Sequence, residues 1–145
     1  MQVMSRQIGS VTIMAVEGEL TVPTAGAFLR RSRLMLAPVA APLVAVDLGG
    51  VRRLDSSGFS ALVALLRDVQ RRGGEVCLVN LGPEARLLLE IMQLHLLFDV
   101  HDDLASAAEA LTAAREASPA PTASRRLLGR IRTRSVPLAE RRAVG

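Results

Sequence analysis

Leu43-Val44-Ala45-Val46-Asp47-Leu48, then Val51-Arg52-Arg53-Leu54-Asp55-Ser56-Ser57-Gly58-Phe59, then Gly73-Gly74-Glu75 is the succession that decides the fold. Residues 43–48 are almost continuously apolar, the pattern of a central strand covered on both faces. Over 57–72, Phe59, Leu62, Val63, Leu66 and Val69 recur at intervals of three and four, while Arg67, Asp68, Gln70 and Arg71 take the other side, so this segment reads as an amphipathic helix. Gly73 and Gly74 end it, and residues 75–80 form the next strand. A strand, helix and strand in this order lay the two strands parallel in one sheet, with a right-handed crossover.

Upstream, β-branched residues at 3–8 and 11–16 flank Gly9-Ser10 and predict a hairpin. Ala25, Phe28, Leu29, Ser32, Met35 and Leu36 give a first helix over 24–36, and Pro38 and Pro42 bracket the linker after it. Downstream, Pro83 opens a third helix, 85–92, followed by a short strand at 96–100. Asp102 or Asp103 caps a fourth helix whose core face includes Leu104, Ala108 and Leu111.

The chain of 145 residues supports one core, residues 1–117, with an Arg/Pro/Ala-rich segment, 118–145, that lacks the apolar residues to offset its ordering entropy and is expected to be disordered. Leu127, Leu128, Ile131 and Val136 give that segment the makings of a short amphipathic helix on contact with a partner or anionic surface. Charge is divided accordingly: residues 1–118 hold 11 Arg against 13 acids, a net −2, whereas 119–145 hold 7 Arg against Glu140 alone, a net +6. The body is therefore not a basic nucleic-acid binder, and aromatics for base stacking make up only 2% of the chain. No apolar run is long enough to span a membrane, and the first ten residues do not look like a secretory signal, so a cytoplasmic protein is expected. Cys77, in the run 76–79, reads as a small buried hydrophobe.

The functional interest lies at 51–60, where a strand ends and the second helix begins. Groups just beyond the carboxyl ends of strands are exposed and held by rigid elements behind them. Ser56 or Ser57 reads first as the helix N-cap, with Asp55 adding a favourable negative charge. The same geometry suits a phosphoacceptor, because a helix start tolerates the nearly two negative charges of a phosphoryl group. Arg52 and Arg53 are available for a charge-assisted contact, although adjacent loop arginines are more often simply solvated.

Leu54-Asp55-Ser56-Ser57-Gly58-Phe59 resembles the phosphorylation loop of the STAS (sulfate transporter and anti-sigma antagonist) family, an apolar residue followed by Asp-Ser-Ser-Gly or Asp-Ser-Thr-Gly. Gly18-Glu19-Leu20, Val44 through Leu48, Gly73-Gly74-Glu75 and Pro83 extend the likeness over about residues 3–114. The resemblance implies an α/β fold, a mixed sheet of four to five strands with about four helices packed mainly on one side. It implies a non-enzymatic anti-sigma factor antagonist that needs no cofactor or metal, with Ser56 as phosphoacceptor and Asp55, Ser56, Ser57, Gly58 and Thr21 in the partner surface. The implied partners are an anti-sigma factor serine kinase, which supplies ATP, and a phosphatase that resets the switch; the protein itself would be a monomer or weak dimer. Family members commonly have Asp after Gly-Glu-Leu; here Thr21, Val22 and Pro23 stand, removing an acidic neighbour that could shape kinase docking. Gln93 also stands where the family often has Gly after the third helix.

Other chemistries find little support. A nucleophile elbow needs Gly two residues either side of Ser, which neither Ser56 nor Ser57 has. His95 and His101 with one Cys make no zinc ligand set, and a phosphate loop needs the Lys that this chain lacks entirely. Glu17 and Glu19 read as solvent-facing charges. The alternative within binding proteins is an unphosphorylated STAS adaptor in a signalling or lipid/transport assembly.

Overall fold

The two longest strands, β2 (Val11–Leu20) and β3 (Leu43–Leu54), run parallel at the heart of a computed structural model that describes residues 1–117. The expected disordered segment, and the helix foreseen around Leu127 and Ile131, lie outside the described residues. Around that pair stand β1 (Gln2–Ile8), α1 (Val22–Leu36), α2 (Ser56–Arg71), β4 (Glu75–Val79), α3 (Pro83–Ile91), a single 3₁₀ turn at Leu94–Leu96, β5 (Val100–His101) and α4 (Leu104–Ala117). The five-stranded sheet has the spatial order β1-β2-β3-β4-β5, antiparallel between β1 and β2 and parallel elsewhere. This is the mixed α/β sheet with four helices that the resemblance implies.

Alternation along β3 explains why its sequence is apolar throughout. Val44, Val46 and Leu48 join a cluster with Phe28 of α1, Phe59, Leu62 and Leu66 of α2, and Leu89 of α3. Leu43 and Ala45 point the other way, to Val11, Ile13, Cys77 and Val79 of neighbouring strands and Ala107 and Leu111 of α4. Three helices thus cover one face and α4 alone the other. Half-buried Asp68 of α2 pairs with the exposed Arg33 of α1 at 2.6 Å and with the exposed Arg71, fixing the approach of the two helices more than adding stability.

The element boundaries depart from the sequence reading in instructive places. A strand ending at Leu48 is predicted, but β3 continues to Leu54, with register shifts where β2 passes Ala15 to Glu17 and Gly18 to Glu19. Gly49 and Gly50 therefore mark an irregularity inside a strand rather than its end: a Cβ on Gly50 would lie 2.9 Å from Cγ of Glu17 and 3.1 Å from the Val16 carbonyl oxygen. The last strand is shorter than expected, because the chain first makes the 3₁₀ turn and then buries Phe98 before pairing Val100 with Leu78. Gln93 adopts a left-handed conformation, φ 59°, the geometry for which Gly is favoured at the end of α3. Asp103 rather than Asp102 caps α4, accepting the Ser106 N–H at 2.7 Å.

Candidate functional site

The β3–α2 corner owes its position to the overrun of β3. Register between β3 and β4 ends at Asp47 and Val79, while Gly50–Leu54 goes on pairing with β2 from Glu17 to Leu20. Past the end of β4, then, the sheet narrows to a two-stranded arm, and Ser56 stands at its tip as the first residue of α2. Asp47 secures the base of the arm, accepting the Gly49 N–H at 2.9 Å and the Asn80 side-chain amide at 3.0 Å.

At the tip the cap is neither serine. Oδ1 of Asp55 accepts the backbone N–H of Ser57 at 2.9 Å and of Gly58 at 3.1 Å, satisfying two orphan donors of the first helical turn. That corrects the reading in which Ser56 or Ser57 caps the helix and Asp55 only adds charge. Because the carboxylate performs the capping, the hydroxyls of both serines are released from it. Ser56 is exposed, Ser57 and Asp55 are half-buried, and Gly58 is buried. The glycine is obligatory for packing: a Cβ there would sit 2.2 Å from the Leu20 carbonyl oxygen and 2.5 Å from Cδ1 of Leu54. The helix start is therefore pressed onto the end of β2, and the Asp55 N–H points to the same carbonyl at 3.4 Å.

Thr21 lies beside this corner, since Leu20 and Leu54 are paired across β2 and β3. This residue is only 6% exposed, and its backbone N–H donates to Oγ1 of Thr24 at 2.9 Å, so it closes the start of α1 and offers a partner little area. The next residue, Val22, is 70% exposed and was not singled out by sequence reasoning; a β-branched apolar residue at the first position of a helix is the signal that could have found it. From Ser56 an exposed stripe continues down α2 through Ser60, Arg67 and Arg71, with half-buried Val63 and Ala64 between. Its upper half is small and uncharged, a surface against which another protein can lie closely. Arg52 and Arg53, both exposed, line a cleft of about 490 Å³ between the arm and the start of α3, floored by Leu48, Leu81 and Leu88.

The site thus offers an exposed hydroxyl at a helix start, an uncharged helix face and an exposed valine at one corner. Among the described residues there is no group of three His, Cys, Asp or Glu side chains placed to hold a metal ion, and no helix is long and apolar enough to cross a membrane.

Comparison with known proteins agrees with the fold. Structures of the same architecture include a Thermotoga maritima protein proposed to be an anti-sigma factor antagonist, at 20% identity and TM-score 0.70, covering 76% of this chain and 94% of that one. An anti-sigma factor antagonist of Mycobacterium paratuberculosis is similar at 24% identity and TM-score 0.68, over 77% and 93% of the two chains. The Bacillus cell-fate determinant SpoIIAA, solved in its phosphorylated form, aligns at 14% identity and TM-score 0.57, over 75% and 98%. No curated protein sequence matches. The model of the STAS domain matches residues 2–107, the whole sheet and its helices to the first turn of α4, and the chain belongs to the STAS domain family.

Proposed function

We propose that this protein is a cytoplasmic anti-sigma factor antagonist that docks through the Asp55 to Gly58 corner and the exposed face of α2 onto a kinase-type anti-sigma factor, displacing a sigma factor, and that phosphorylation of Ser56 ends the contact. The observation that carries the reading is the exposed Ser56 at the first position of α2, with Asp55 holding the cap. Phosphoryl transfer needs a hydroxyl within reach of a nucleotide held by the partner. The Ser56 Oγ–P bond forms as the bond between the γ-phosphorus and its bridging oxygen breaks, ADP leaves, and the hydroxyl proton passes to a base on the kinase.

The modified serine keeps its helix and loses its partner. Nearly two negative charges at a helix start are locally tolerable. In the middle of a docked surface, beside the Asp55 carboxylate, they add repulsion and a desolvation cost that a small uncharged contact cannot absorb. A phosphatase would restore the free hydroxyl. Support for the reading comes from the family, from the quoted loop sequence and from the accessibility of Ser56.

The adaptor reading is favoured by one observation, the Thr21 that stands where a carboxylate is usual beside the phosphoacceptor. Incubation with the copurifying kinase-type partner and ATP, followed by peptide mass mapping, separates the two. Phosphate on Ser56 is the expected result; stable binding with no phosphate there would leave the adaptor standing and remove the switch.

A further inference from the structure

The face of the sheet that α4 covers is incompletely covered. Val11 and Ile13 of β2 pack under α4, and their antiparallel partners on β1 are Ile8 and Arg6. Directly opposed residues share a face, so Ile8, Arg6 and Met4 lie on the α4 side of β1. Among the described residues nothing lies over them: Met4 is 48% and Ile8 40% exposed. Between β1 and the flank of α4 runs an open, mainly apolar groove of about 500 Å³, lined by Ile8, Gly9, Ala108, Thr112 and Ala113, with Glu109 and Glu116 also in its wall.

Three observations identify the occupant. The described residues end at Ala117, one position past Glu116 of the groove wall, so the following segment starts at the groove's own mouth. Within that segment Leu127, Leu128 and Ile131 are spaced i, i+1 and i+4, one face of a helix, and Arg125, Arg126, Arg130 and Arg132 surround them. The segment 119–145 has a net charge of +6, and the groove wall on α4 carries two carboxylates; Arg6, on the β1 side, is outnumbered. Reach is ample, because the ten residues from Ala117 to Leu127 span up to about 33 Å, against about 23 Å for the seven residues of β1.

We propose that the chain's own Arg-rich segment folds back into this groove, seating Leu127, Leu128 and Ile131 over Met4 and Ile8 while its arginines face Glu109 and Glu116. An exposed apolar strip on a sheet face invites association with other chains, and a covering segment removes that hazard. Docked there, the segment sits against the sheet face opposite α1, α2 and α3, and it enters at the end of the sheet remote from Ser56, since Ile8 and Val11 lie beside the start of β3. The proposal is thus independent of the switch at Ser56.

The test uses the full chain with Ser124→Cys carrying a nitroxide; Cys77 is 2% exposed and stays unlabelled. Methyl signals of Met4 and Ile8 are expected to lose intensity several-fold more than those of Leu34 and Ile91, which are exposed on α1 and α3. Adding Leu128→Asp and Ile131→Asp should bring all four to the same level. Glu109→Gln with Glu116→Gln should reduce the difference about twofold, the scale of a partly screened surface attraction. Equal loss at all four methyls, or loss seen only when label and observed methyls are on different molecules, overturns the proposal.

Discussion

At the scale of single residues, the corner depends on Gly58 and Asp55 for its shape, and the proposed switch depends on Ser56 for its chemistry. Gly58→Ala puts a methyl group against the Leu54 side chain, which can turn aside, and against the Leu20 carbonyl, which cannot retreat without moving β2. The expected loss of stability is about 3 kcal/mol in denaturant unfolding, at the upper end for overpacking; a loss no larger than at an exposed position would show that the helix start is not pressed onto β2. Asp55→Ala removes the cap, and a loss of about 1 kcal/mol is expected in the same assay. If the serines capped the helix instead, that change would be nearly silent and Ser57→Ala would carry the loss. The site was largely legible because a hydroxyl-rich tetrapeptide ending in Gly stands between a buried strand and an amphipathic helix. What the sequence hides is the division of labour: Asp and Ser both cap helices well, and only the distances from Oδ1 of Asp55 to two backbone N–H groups assign the task.

Among elements, the order and types of the β3–α2–β4 unit were readable, since its three periodicities are distinct and two glycines separate the last two. The overrun of β3 was not, because Gly49-Gly50 followed by two arginines has the composition of a loop. The strand persists only through pairing with β2, a tertiary effect with no local signature. Likewise the apolar residues at 96–100 suggest a strand, yet Phe98 is buried by the core cluster before any pairing begins. The α4 terminus offers a pH test. Asp103 is held below its ordinary carboxylate value of 3.8, first by the backbone N–H of Ser106 and then by its hydroxyl, with desolvation opposing them and His101 and the Ala105 N–H adding smaller effects. A carboxyl with a depressed folded pKa contributes stability that is complete above its unfolded value and disappears as pH falls through the folded one. As the pH falls from about 5 through the carboxylate range and below it, the stability difference between the wild type and Asp103→Ala should therefore shrink. A difference that grows on acidification would contradict this assignment of the cap.

For the whole molecule, three helices on one face and one on the other leave two distinct surfaces, and the two proposals concern one each. The Ser56 end presents a rigid arm whose tip is exposed, while the opposite end holds the β1–β2 turn and the groove beside α4. The division of charge between body and basic segment was plain in the sequence; the groove was not, because it arises from α4 stopping short of β1. The proposed switching belongs to this scale, since it concerns what the assembled surface accepts. Its decisive measurement is the affinity of the copurifying kinase-type partner for the unmodified full chain and for three altered forms of it, titrated calorimetrically: Ser56→Ala, Ser56→Asp and the Ser56-phosphorylated protein. Ser56→Ala should bind as the unmodified protein does. Ser56→Asp should bind more weakly and the phosphoprotein more weakly still, by about tenfold or more, equivalent to about 1.4 kcal/mol. Equal affinity for all three would contradict the account.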